Sequence, residues 1–182
     1  MTISIDQSLS SRIIEERLAR TESPRHRKML QTLIDHLRAE EHQSLDELMS
    51  TLVPAPAYHF WKNGSDYGPK GADAVRTYYS ALVEAKRGIL EFAIERIVLD
   101  DDNIVTEGTI RAFQTGAVAR GFGFNVSDDD ATYLVPYRAV IFWPFDAVGD
   151  MLGEDGYTTL DADAAELVAP GELPAVYLAQ FA

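Results

Sequence analysis

Asp155 is the carboxylate that the sequence places best for proton chemistry. It follows a long apolar segment, Thr132 to Phe145, and a short turn. If Phe145 pairs with Met151 across that turn, strand alternation puts Asp155 on the face of Trp143, Ile141, Ala139, Tyr137 and Tyr157. A carboxylate among such side chains loses solvation, so its pKa rises toward the range useful for general acid or base work. The same residue can also be a structural carboxylate hydrogen-bonded to a tyrosine or to backbone. A one-residue slip in register would exchange Asp155 for Glu154. On the register adopted, Glu154 shares a face with Arg138 and is expected to pair with it.

His59 stands in the aromatic run Tyr58-His59-Phe60-Trp61. A histidine there can pass protons near neutral pH, or be a half-buried packing residue. His26, His36 and His42 fall on charge-rich helical segments and read as surface residues. The histidines lack H-x-x-x-H or H-x-H spacing, so no metal and no cofactor are expected. Tyr58, Tyr67, Tyr79 and Tyr157 are candidate phenol donors or lining residues, and Trp61, Phe92 and Trp143 candidate apolar lining. The sequence has no G-x-G-x-x-G after a strand, no P-loop and no G-x-S-x-G elbow. The aspartate runs at 100–102 and 128–130 lack the spacing of a calcium loop and read as turns.

The whole composition narrows the chemistry further. The chain has 182 residues, 46% hydrophobic and 25% charged, enough to bury a sizeable core without a metal or disulfide staple. Its net charge of −13 disfavours nucleic acid and anionic membrane surfaces as partners. Without cysteine there is no thiolate metal site and no thiol nucleophile, and a reducing compartment fits. The N-terminus lacks the basic-then-apolar order of a secretion signal, and no apolar run is long enough to span a bilayer. A cytoplasmic location is expected.

These candidates must be held by elements whose periods the sequence shows. Ile5, Leu9, Ile13 and Leu18 predict a leader helix within residues 1–24. Pro24 opens a second helix with Met29, Leu30, Leu33, Ile34 and Leu37 on one face. Ser44 and Glu47 form a capping-box pattern ahead of a third. A short strand at 58–61, a turn beginning at Asn63-Gly64, and a helix from Ala72 to Lys86 come next. From Ile89 the period changes to that of strands: Ile89 to Leu99, Ile104 to Phe113, Thr132 to Phe145 and Met151 to Thr159. Residues 114–131 form a Gly- and Asp-rich insertion of the kind that serves as a lid or binding loop. The tail at 160–182 is expected to dock on the body or on a partner chain. Helices followed by a strand meander indicate one α+β domain with helices on one sheet face. The Thr132 to Phe145 strand is apolar on both sides, so its outer face is expected to build a homodimer.

Three strings carry a family resemblance. Gly71-Ala72-Asp73-Ala74-Val75-Arg76-Thr77-Tyr78-Tyr79 resembles the G-x-x-A-I/V-R-x-F/Y-Y helix start of the SnoaL-like branch of the nuclear transport factor 2-like superfamily. Val135-Pro136-Tyr137-Arg138 resembles its penultimate strand, and Gly153-Glu154-Asp155-Gly156-Tyr157 its last. The resemblance covers about 25–159. It implies a cone-shaped α+β barrel of cystatin-like fold, a strongly bent antiparallel sheet wrapped around helices with a pocket at the open end. Members include polyketide cyclases, ketosteroid isomerase, epoxide hydrolases and dehydratases, and others that only bind or assemble. The leader, the insertion and the tail depart from the minimal domain.

The expected function is that of a small-molecule-pocket protein. The first reading is a cofactor-independent acid–base enzyme of isomerase, dehydratase or cyclase type, acting on a small apolar molecule. Asp155 would be its acid or base, His59 the proton partner, and a pocket tyrosine the oxyanion donor. A carboxylate and a tyrosine suffice for such chemistry in an apolar site. The alternative is a non-catalytic ligand-binding or assembly protein of the same fold. Converging titratable groups favour the first; a filled or purely apolar cone favours the second.

Overall fold

The computed structural model describes residues 2–62, 64–85 and 87–179. Helices α1 (Leu9–Ala19), α2 (Pro24–Glu41) and α3 (Leu45–Ser50) come first, then strands β1 (His59–Lys62) and β2 (Ser65–Asp66), then α4 (Ala72–Glu84). Strands β3 (Leu90–Leu99) and β4 (Asn103–Thr115), helix α5 (Gly116–Phe122), and strands β5 (Thr132–Pro144), β6 (Asp155–Thr159) and β7 (Glu166–Leu167) follow, with a last turn of helix α6 (Ala175–Leu178). The predicted Asn63 turn start, the Lys86 helix end and the tail beyond 179 lie outside the described residues.

The sheet runs β2-β1-β6-β5-β4-β3, with β7 added to β5. It is bent, open and mixed. The expectation of a wholly antiparallel sheet is corrected at one seam, where β1 runs parallel to β6. Bending is built into β3 and β4. The register shifts between Ile94 and Arg96, and Gly108 opposite lets the backbones close in, since a Cβ there would lie 2.0 Å from the Ala93 carbonyl oxygen.

The helices cover the inner face for the reasons the sequence gives. Ser23 caps α2 by accepting from the His26 amide, with Pro24 in the first turn. Ser44, by contrast, makes no side-chain cap on α3, so the capping-box expectation fails there. Met29, Leu30, Leu33, Ile34 and Leu37 pack with Val75 and Tyr79 of α4 against Phe92, Ile94, Ile104, Ile110, Ala139 and Trp143 of the sheet. The insertion expected to be a loop contains α5. Its Ala119, with Phe124 and Val126 beyond it, packs on Ala112, Tyr133 and Val135, the far end of the same inner face. The tail pairs β7 with β5 and sets Val168 and Tyr177 on Phe113 and Leu134, one end of the outer face.

Candidate active site

Register at the last strand decides which carboxylate enters the cone. Phe145 does bridge Met151 as expected. Beyond that bridge the returning strand carries one extra residue, so that Asp155 stands opposite Phe142 and Tyr157 opposite Val140. Gly153 absorbs the offset with φ +150°, a conformation that favours glycine, and its Cα lies so near the Ala57 carbonyl that a Cβ would sit 1.9 Å from the oxygen. The offset sends Asp155 to the outer face and Glu154 inward. The placing of Asp155 on the face of Trp143 and Tyr137 is therefore corrected.

The expected site residues divide between the two faces. Asp155 is the cross-strand neighbour of His59, and Tyr157 that of Trp61, so these four share the outer face. There the His59 ring stacks with Trp61 at 6.2 Å, and its Nδ1 lies 2.7 Å from Asp66. Partial burial raises the pKa of Asp155, while the charges of His59 and Lys70 oppose the rise. Tyr58, Tyr79, Phe92 and Trp143 lie in the inner core. The sheet separates the two groups, so Asp155 and His59 do not line one cavity with Tyr79. The expected Glu154–Arg138 pair is also replaced, for Arg138 binds Glu95 and Glu107 on the outer face.

Inside the cone a different constellation stands. His36 of α2 is fully buried, not at the surface as its charged neighbours suggested. Met29, Leu33, His36 and Glu40 form one stripe at helical spacing, and that signal could have found it. Tyr79 comes from α4, and Glu154 arrives just before β6. The Tyr79 hydroxyl lies 2.7 Å from Glu154 Oε1, 2.9 Å from Glu40 Oε1, 3.4 Å from His36 Nε2 and 3.3 Å from the Tyr58 hydroxyl. His36 Nε2 lies 3.5 Å from Glu154 Oε1.

The protons of this cluster can be assigned by exclusion. The Thr51 hydroxyl donates to the Leu48 carbonyl at 2.6 Å, so it accepts from His36, whose Nδ1 is 2.7 Å away and carries hydrogen. Nε2 then faces Glu154. Tyr79 has one hydroxyl hydrogen for two carboxylates. Given to Glu154, it leaves the contact with Glu40 to be closed by a proton on Glu40. Burial first, and the charge of Glu154 second, raise Glu40 to about 7, with His36 and Tyr79 working the other way. Burial opposes charging His36, but its hydrogen bond to Glu154 and the charges of Glu40 and Glu154 outweigh this and raise its pKa. Burial, reinforced by Glu154, holds the Tyr58 and Tyr79 phenols well above 10, so both remain donors.

The cluster holds a carboxylic acid, a carboxylate, an imidazole and a phenol in contact, enough to take a proton from one point of a substrate and return it at another. The ligand atoms of His36, Glu40 and Glu154 also lie within 4.8 Å of one another, a set suited to a divalent ion although no two histidines are spaced for one. Tyr58, Tyr79 and Trp143 close the inner end, while Phe60, Tyr78, Tyr137 and Ile141 remain partly open. Two surface depressions lie elsewhere, one of about 430 Å³ between α2 and α3 and one of about 180 Å³ on the outer sheet face.

The bent sheet wrapped around helices is a fold that this chain shares with solved structures described as SnoaL-like and NTF2-like. A protein from Shewanella putrefaciens CN-32 described as a SnoaL-like polyketide cyclase superposes with TM-score 0.61 at 14% identity, covering 87% of this chain and 92% of its own. One of the same description from Jannaschia sp. CCS1 gives 0.57 at 17% identity, covering 76% and 90%. A phenazine biosynthesis-related protein from Pseudomonas aeruginosa gives 0.56 at 12% identity, covering 80% and 85%. No family model and no curated protein sequence matches the chain. The likeness is one of fold.

Proposed function

We propose that the chain is a cofactor-independent acid–base enzyme of isomerase, dehydratase or cyclase type, acting on a small apolar molecule within the cone. The observation that carries this reading is the single Tyr79 hydroxyl held between the carboxyls of Glu154 and Glu40. Glu154 is the base, Glu40 is the acid that reprotonates, and Tyr79 turns its single hydrogen from Glu154 to the developing oxyanion once Glu154 has taken the substrate proton. His36 neutralises Glu154 and holds it in place. Asp155 and His59, on the outer face, are assigned no part in the reaction. Proton transfer between carbon positions consumes no cofactor, so the four side chains suffice.

A homodimer and a cytoplasmic location are part of the proposal. The tail covers only the Phe113 and Leu134 end of the outer face. Trp61, Phe142 and Tyr157 remain exposed beyond it, and a second copy of the chain is the partner proposed for them.

Exchange into D2O of the α-protons of 2-cyclohexenone and 2-indanone, followed by NMR, tests the reaction class. The wild-type chain should accelerate exchange of at least one ketone above buffer, and Glu154→Gln should abolish the acceleration. No acceleration by the wild type, or full activity in the variant, overturns it. The packed inner end of the cone favours the second reading, a ligand-binding protein without turnover, and wild-type binding without exchange would support that one.

A further inference from the structure

Arg17, Arg25 and Arg87 each keep a buried side-chain nitrogen without a hydrogen-bond partner, and among the described residues Arg87 is the one of the three that lies over an aromatic ring. With 29 acidic residues against 16 basic ones, most arginines find carboxylates: Arg12, Arg38, Arg76, Arg96, Arg111, Arg120 and Arg138 are all ion-paired. Among the described residues Arg87 has no ion pair, and its side-chain Nε is buried with no hydrogen-bond partner. A guanidinium has five N–H donors, and leaving one buried and unmet carries a desolvation cost.

The place of Arg87 gives the vacancy a direction. Its guanidinium carbon lies 5.3 Å over the Phe122 ring, and Phe122 in turn stacks on Tyr137 at 6.2 Å. Tyr137 projects from the inner face of β5, so the cation sits at the partly open end of the cone. Burial raises the phenols of Tyr78 and Tyr137, and the charge of Arg87 opposes that rise at both, as expected of a cation close to the inward aromatic wall. A second cation near Phe122, Lys62, is occupied by the Gly121 carbonyl at the end of α5, 2.9 Å away.

Resting on the acid–base reading of the cone, we infer that Arg87 binds a carboxylate on the substrate, which is therefore a small apolar acid. Its anionic end lies at the mouth against the Arg87 fork, and its apolar body runs inward along Phe60, Tyr78 and Tyr137. A single guanidinium suits a monoanion, because its fork matches the two oxygens of one carboxylate. The surrounding excess of negative charge selects against polyanions such as nucleotides.

Calorimetric titration with cinnamate and with cinnamamide, its neutral isostere, tests the inference. The wild-type chain should bind cinnamate at least about tenfold more tightly than cinnamamide, the preference shrinking as salt rises. Arg87→Gln should remove the preference while leaving cinnamamide binding unchanged, and Arg87→Lys should keep part of it. Equal binding of the two probes by the wild type, binding of neither, or equal losses of both in Arg87→Gln overturns the carboxylate site. These outcomes separate from the reaction class, which stands or falls on Glu154-dependent ketone exchange. Exchange without a carboxylate preference removes only the Arg87 site, and the preference without exchange removes only the reaction.

Discussion

The Tyr79 hydroxyl and Glu154 Oε1 lie 2.7 Å apart in the buried interior, the shortest contact Tyr79 makes. The hydrogen bond joins α4 to the residue that precedes β6, so it ties the helical layer to the strand whose register decides the site. Removing the hydroxyl with Tyr79→Phe leaves Glu154, Glu40 and Tyr58 each short of a partner. We expect a loss of about 1–3 kcal/mol in stability, read by denaturant titration, with ketone exchange reduced. Glu154→Gln keeps an acceptor for Tyr79 and should hold its melting temperature within a few degrees while losing exchange by roughly 100-fold or more. Similar stability losses in both variants, without loss of exchange, would make the cluster structural.

Glu40 gives the pH dependence. Its pKa rises from 4.5 to about 7 on folding, so between those values the folded chain binds more protons than the unfolded one. Stability from this group is complete below the unfolded value and is lost as pH rises through about 7. His36, also raised, acts in the same direction. Melting temperatures of Glu40→Gln should therefore fall less than those of the wild type between pH 5 and 8. A wild-type profile that climbs over that window, unchanged by the substitution, would contradict the assignment.

Gly153 is predicted to be intolerant. Gly153→Ala meets both the strained φ and the Ala57 carbonyl. Backbone strain alone is about 1–3 kcal/mol, and roughly 2–4 °C are lost per kcal/mol in a chain of this size. A drop of about 5 °C or more is expected by calorimetry. Gly171→Ala, where a Cβ meets nothing within 4 Å, is the control and should stay within about 1 °C. Equal behaviour of the two would remove the argument for the register offset.

The outer face is predicted to hold two copies together. Phe142→Glu with Tyr157→Lys places charge where 38% and 46% exposed aromatic side chains now stand. Light scattering should show a dimer for the wild type at micromolar concentration and a monomer for the double variant. A wild-type monomer sinks the interface.

Much of the fold was legible because it follows from local rules. The apolar face of α2, Pro24 after the Ser23 cap, and the change of period near Ile89 each depend on residues close in sequence. The long strands were placed to within a few residues for the same reason, and the three strings around Gly71, Val135 and Gly153 pointed to the fold that the solved structures share. Alternation along β5 and the Phe145–Met151 bridge were also readable.

The site was not, because it depends on distances between segments far apart in the chain. One extra residue at Gly153, accommodated by the approach of Ala57 nearly a hundred positions earlier, reverses every side chain of β6. It exchanges Asp155 for Glu154. The burial of His36 likewise required the helical stripe of α2 to meet Tyr79 of α4 and the end of the returning strand. The sequence alone determined which residues could carry protons and which elements they ride on. Only the tertiary structure decided which of them face one another, since a sheet has two sides and a single-residue offset chooses between them.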